Sequence, residues 1–285
     1  MKKQAAAAII LILAVYAAGC LGTVPEKSTV APEQQPDSTT TGGPKSPQEI
    51  PTGRTQTVPQ GEQAAEKRFP GIEWVRQVSY EGNVTIHMRV TVEQGNTSQE
   101  GKVSLLILEH VYLDFASWSA SVNSTTVSLP DGAEVDTSRI IVNNVTYLMT
   151  PEGWIKVEDP LPAEVFWKTN IISLAKEGRV SRVELRNGTL VAVYDISPDL
   201  VKDLARAYFE VTPGAELIIR NIRLEIYFRN GAPVKGTLSF EVTSKAEVDS
   251  NTPLGKLSIL QKGNWTQTVE ITSINEKSPV KPPST

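Results

Sequence analysis

His87 and His110 are the only two histidines in the 285-residue chain, so an imidazole general base would have to be one of them. His87 falls on the polar side of an alternating pattern, and His110 stands in an apolar run beside Tyr112 and Asp114. A Ser-His-Asp hydrolase also needs a nucleophile exposed on a strained turn, and no Gly-x-Ser-x-Gly elbow occurs. His110 and Asp114 therefore read as strand residues. Glu247, Asp249, Ser250 and Asn251 gather oxygen ligands, but without the spacing and glycine of a calcium loop. Phosphate-cradling glycine loops and paired metal histidines are missing too. The chemistry implied is binding, without catalysis, metal or cofactor.

Cys20 is the one cysteine, and its surroundings give it a different chemistry. Lys2 and Lys3 precede an apolar run from Ala5 to Ala18, and Ala17-Ala18-Gly19-Cys20 closes it with small residues. Charged start, apolar middle and small-residue cut site make a secretory signal. The ending resembles a lipobox, in which the thiol is acylated and Cys20 becomes the new N-terminus. An ordinary signal peptide or a single N-terminal membrane helix is the plainer alternative, although the run is short for a span of about 20 residues. With its only thiol assigned to an anchor, the rest of the chain has no disulfide and no thiolate metal site.

Asn83, Asn96, Asn123, Asn144, Asn187 and Asn264 each open an Asn-x-Ser/Thr acceptor sequence for N-glycosylation. Asparagine favours turns and threonine favours strands, so turn-to-strand junctions also generate such sequences by accident. Net charge is −4, and no run of one sign occurs. The basic stripe that attracts nucleic acid is absent along the chain.

Organisation follows from composition. Residues 1–19 read as the signal, and 20–68 as a Pro-, Ser- and Thr-rich tether, because that segment cannot bury enough apolar surface to offset its ordering entropy. Its random-coil reach is roughly 40 Å. Residues 69–275 read as one folded domain and 276–285 as a polar tail.

Within the domain, period-two alternation dominates. Strands are expected at 84–93, 103–115, 119–129, 138–150, 154–158, 180–186, 189–196, 216–229, 234–243, 256–261 and 266–273. Asn143-Asn144 is expected to break the fourth, and Asn187-Gly188 and Asn230-Gly231 are hairpin turns. A helix is expected over 160–177, capped by Asp159 and ended by Gly178, with Trp167, Ile171 and Leu174 on one face. A second follows Ser197-Pro198, with Leu200, Leu204 and Tyr208 sharing a face. The fold class is α+β: a large curled antiparallel sheet of about ten or eleven strands, a half-barrel, with two or three helices covering the concave face.

Several pieces in this order resemble the LolA and LppX/LprG-like lipoproteins. IIVNNVTYLMTPEGWIKV (Ile140 to Val157) is similar to that family's hairpin, and VAVYDISPDLVKDL (Val191 to Leu204) to its strand followed by a Pro-initiated helix. Asn230-Gly231-Ala232-Pro233-Val234 resembles its return strand, and VEITSINEKSPVKPP its last strand and exit. The lipobox-like ending makes the expected protein a membrane-anchored lipoprotein facing outside the cytoplasm, and together with the six acceptor sequences it suggests an archaeal surface type. The resemblance implies a half-barrel closed by helices. It also implies a cavity between sheet and helices for a lipid or other apolar ligand. Trp154, Phe166, Trp167, Ile171, Leu174, Leu204 and Tyr208 are the residues expected at that pocket. Expected partners are the membrane through Cys20, an apolar ligand, and a surface-layer or envelope protein. Nucleic acid is not expected. The competing expectation is a surface lipoprotein whose core is packed solid.

Overall fold

A computed structural model describes residues 71–249 and 256–284. Cys20, the signal and the tether lie outside the described residues, as do Ser250 and Asn251. Eleven strands form one antiparallel sheet that does not close into a barrel. They are β1 (Gln77–Gln94), β2 (Thr97–Asp114), β3 (Ser119–Leu129), β4 (Glu134–Val142), β5 (Val145–Thr150), β6 (Gly153–Val157), β7 (Arg179–Arg186), β8 (Thr189–Asp195), β9 (Glu216–Arg229), β10 (Ala232–Asp249) and β11 (Lys256–Ile274). Helices α1 (Leu161–Thr169) and α2 (Ile171–Glu177) lie between β6 and β7, and α3 (Pro198–Phe209) between β8 and β9.

The strand order β6-β5-β4-β3-β2-β1-β11-β10-β9-β8-β7 consists of two meanders joined at the centre by β1 and β11. β6 and β7 are consecutive in sequence yet occupy opposite edges, so α1 and α2 must carry the chain from one edge to the other. That crossing lays both helices over one face of the sheet. The alternation seen in sequence sets which residues meet them: Val84, Ile86, Met88 and Val90 of β1 are buried, as are Leu238, Phe240 and Val242 of β10.

Three readings of the sequence are corrected. The helix expected over 160–177 is two helices, because Asn170 breaks it with an extended ψ of 148°. Its side chain then serves both ends. Nδ2 donates to the carbonyls of Phe166 and Trp167 at 3.0 and 3.1 Å. Oδ1 accepts from the Ser173 N–H at 2.9 Å. The orphan carbonyls of α1 and an orphan N–H of α2 are thus satisfied by one buried residue. The strands expected at 256–261 and 266–273 are a single strand, β11, running through Lys262-Gly263-Asn264. Gly263 is there for space, since a Cβ would meet Phe209 Cε1 at 2.5 Å and the His87 carbonyl oxygen at 2.6 Å. On α3, Val201, Ala205 and Phe209 are the fully buried stripe, one position on from the expected one, and Leu200, Leu204 and Tyr208 sit partly buried at its rim. The small Ala205 allows this closer face to approach the sheet.

Turn chemistry matches the sequence. Asn143 and Asn144 have φ of 51° and 61°, and Asn187-Gly188 and Asn230-Gly231 have φ of 49° and 76° and of 51° and 83°. These are the left-handed pairs that tight hairpins need.

Candidate functional site

The helix-covered face is unequal across its width, and one row of paired residues shows it. From β4 to β7 the row is Val135, Thr126, Ile107, Val84, Gln267, Leu238, Leu224, Tyr194 and Val180. Val135 is 44% exposed, whereas Leu238 and Leu224 are at 0%. The next row repeats the gradient: Thr137, Ser124 and Glu109 stand at one end, and Ile226, Ala192 and Val183 at the other. The helices press on β9 and β10, where Gly236 of β10 leaves room for Ile171 Cδ1, and Gly263 of the adjoining β11 leaves room for Phe209. Over β3 and β4 the same face is a half-open trough.

The closed half holds Ile171 and Leu174, both fully buried. Phe166 and Trp167 lie where the trough meets α1. There the Trp167 ring packs edge-on to Phe115, Trp118 and Phe166, with centroids 5.7, 5.3 and 5.7 Å away. Arg139 stands over the Phe166 ring at 4.7 Å and Lys176 over Phe115 at 4.1 Å. Trp118 has φ of 49° and is 54% exposed, and Leu161 at the start of α1 is also exposed. Leu204 and Tyr208 flank the core from α3, with Tyr208 4.9 Å from Trp265. Trp154 of β6 pairs with Met149 of β5 and points to the opposite face, since a single step along a strand switches sides. The structure thus brings six of the seven expected pocket residues to the helix side and sets Trp154 apart.

Sequence reasoning missed Glu109, Arg139, Phe115 and Trp118. Glu109 was the one with a signal: it is a carboxylate at an inward position of a strand otherwise lined by Leu105, Ile107, Val111 and Leu113. Desolvation raises its pKa above the ordinary carboxylate value. Arg139 and a 3.5 Å hydrogen bond donated by Gln267 Nε2 offset this only in part. Tyr80, on the same face, is raised well above the usual phenol value by burial and then by Glu109. Among the described residues, Trp167 Nε1, Thr146 Oγ1, Tyr194 Oη, Ser244 Oγ, Gln261 Oε1 and Trp265 Nε1 are buried without a protein partner. The indole N–H groups can donate to, and the oxygens bond with, water or a ligand's polar group.

The opposite face carries an open groove of ≈ 830 Å³ crossing β2, β1, β11 and β10, and a buried ion cluster on β9. Glu225, 4% exposed, accepts hydrogen bonds from Arg186, Arg223 and Tyr227. Burial acts to raise its pKa, but these donors outweigh it and hold the carboxyl at about 2. His110 is exposed on this face, 3.6 Å from Glu81, while buried Asp114 accepts from the N–H groups of Ala116 and Ser117. The two form no dyad. Of the six acceptor asparagines, Asn96, Asn144 and Asn187 lie in turns, whereas Asn83, Asn123 and Asn264 lie within strands on the outer face. Turn preference does not account for the second three.

Fold and site define an open antiparallel half-barrel with helices across its concave face and a trough left uncovered beside them. No family model matches the chain, and no curated protein does. Among solved structures, LprF from Mycobacterium bovis overlays at a TM-score of 0.36 and 9% identity, over 80% of this chain and 99% of its own. A β-barrel-like protein of domain of unknown function DUF1849 from Brucella abortus overlays at 0.20 and 9%, over 72% and 100%. The ywiB protein from Bacillus subtilis gives 0.16 and 12%, over 68% and 94%. These are likenesses in the path of the chain; the architecture is read from the strand order itself. No helix among the described residues is long and apolar enough to cross a membrane.

Proposed function

We propose that this chain is a non-enzymatic lipoprotein, tethered by acylated Cys20 to the outer side of the cytoplasmic membrane. Its half-barrel binds an acyl chain or another elongated apolar group. The observation that carries the ligand reading is the gradient along the helix-covered face. The inward positions Val135 and Thr126 stay uncovered, while Ile107 next to them is buried, beside an aromatic cluster whose outer member, Trp118, is half-exposed. A trough in which Val135 stands among the hydroxyls of Thr126, Thr137 and Ser124, with aromatic rings at one end and Glu109 and Arg139 at its side, suits an amphiphile, with its chain along the strands and its polar head near the charged groups. The strand-borne acceptors Asn83 and Asn123 would carry glycan on the outer face, which helices leave free.

The test uses the chain with Cys20→Ser, secreted and purified without detergent. Organic extraction and mass spectrometry should yield a stoichiometric lipid, and an environment-sensitive acyl probe should bind saturably. An empty extract with no probe binding contradicts the reading. The parent chain should incorporate a labelled fatty acid and the Cys20→Ser chain should not.

A second reading, a scaffold with a filled core, draws on the close seating of Ile171 at Gly236 and Phe209 at Gly263. Under that reading the extract is empty and partners dock on the outer face.

A further inference from the structure

On the outer face, strand register assembles what the linear sequence does not display. Lys102 pairs with Arg89, and Arg89 with Lys262, so three cations stand side by side on β2, β1 and β11. All three side chains are exposed and line the ≈ 830 Å³ groove. Two strand spacings separate the outer pair, about 10 Å. Like charges directly opposite on neighbouring strands repel, so the row lowers stability unless something anionic meets it. Glu100 takes Arg89 Nε at 3.2 Å, but neither lysine makes an ion pair with any described residue. Glu241 at the groove's far side accepts from Asn221 Nδ2 at 2.9 Å and so is already engaged.

The next row supplies neutral hydrogen-bonding groups. Ser104, His87 and Asn264 follow one another across the same three strands, with Ser104 Oγ 2.9 Å from His87 Nδ1. The two large aromatics among the lining residues, Phe240 and Trp265, are buried with their rings stacked 5.9 Å apart on the helix side. The groove therefore offers separated point charges, hydroxyls and amides, and among its lining residues the one exposed ring is the His87 imidazole.

We propose that this groove binds an acidic polysaccharide, a chain bearing carboxylate or sulfate groups on successive sugars. Several anions along one polymer match three cations in a line, and sugar hydroxyls match the Ser104, His87 and Asn264 row. A nucleic acid would supply the anions but would find only the His87 imidazole to stack on, not the run of aromatic rings that successive bases need. The site is on the face opposite the trough and is independent of any apolar ligand.

The test is a biosensor titration of the Cys20→Ser chain, made in a host that does not N-glycosylate, over immobilised polygalacturonate and dextran sulfate. Neutral dextran serves as the blank and single-stranded DNA as competitor. The expected result is saturable binding to at least one acidic polysaccharide that weakens steeply with added salt. It should fall about tenfold or more in Lys102→Gln/Lys262→Gln and stay unchanged in Lys235→Gln/Lys277→Gln. The first double variant should also melt no lower than the parent, because it relieves cross-strand repulsion; a lost signal then cannot be ascribed to unfolding. Which polymer binds separates the carboxylate source from the sulfate source. No binding to either acidic polymer, equal binding to neutral dextran, unchanged binding by Lys102→Gln/Lys262→Gln, or tighter binding to DNA would each overturn the proposal.

Discussion

The two halves of the sheet have the same pleat and antiparallel pairing, but different lives on their inner face. Toward β7–β11 the inward residues are mostly aliphatic or aromatic, with Gln261, Gln267 and Ser244 buried among them, two glycines admit helix side chains, and the surface is closed. Toward β3–β6 the inward residues include Thr126, Thr137, Ser124 and Arg139, and they stay partly open. Helix coverage follows composition: a helix stripe is stabilised by seating on Leu238 and Ile226, and gains little by seating on threonine. On the proposed function the difference separates stability from binding, with folding energy concentrated on one side and the ligand site on the other.

Substitutions can break or sharpen that contrast. The largest effect is expected at Phe209→Ala in the closed half, where loss of a fully buried ring over Gly263 should cost about 3–5 kcal/mol in denaturant unfolding. Next is Glu225→Gln on the outer side of β9, expected to cost about 2 kcal/mol at neutral pH because three donors lose a charged acceptor. Its pH dependence has a definite sign. The folded-state pKa of about 2 lies below the ordinary value, so the stabilisation is complete above about pH 4.3 and is lost as pH falls toward 2. Unfolding followed from pH 6 to pH 2 should show that decline in the parent and a shallower one in Glu225→Gln. Asn170→Ala should cost about 1–2 kcal/mol, as two helix ends lose their side-chain partner. Smallest is Val135→Thr in the open half, expected within about 0.5 kcal/mol of the parent. A loss there as large as at Phe209 would mean that the trough is closed.

Much of the closed half was legible in sequence. Alternation located most strands, a continuous apolar run located β2, and Asn-Gly and Asn-Asn pairs located three hairpin turns, because a left-handed turn leaves a residue-type signature. Gly263 misled for a physical reason: glycine marks either a turn or a close approach, and only the position of Phe209 decides between them. The shift from Leu200, Leu204 and Tyr208 to Val201, Ala205 and Phe209 has a similar origin. Both sets repeat every four residues, and the small Ala205 carries little hydropathic weight while permitting the closest contact. Trp154 was placed by residue type, and strand parity turned it outward. The open half and the cationic row were the least legible, since each depends on cross-strand register between segments far apart in the chain. Lys102, Arg89 and Lys262 become neighbours only when β2, β1 and β11 pair.

The most direct measurement of the central claim is site-resolved quenching by a brominated acyl chain. Two versions of the Cys20→Ser chain would be made, one retaining tryptophan only at 118 and 167, the other only at 265. Binding in the trough predicts saturable quenching of the first and little of the second, with the same apparent affinity as the acyl probe. Equal quenching of both, or none of either, would contradict the assignment of the open half as the ligand site.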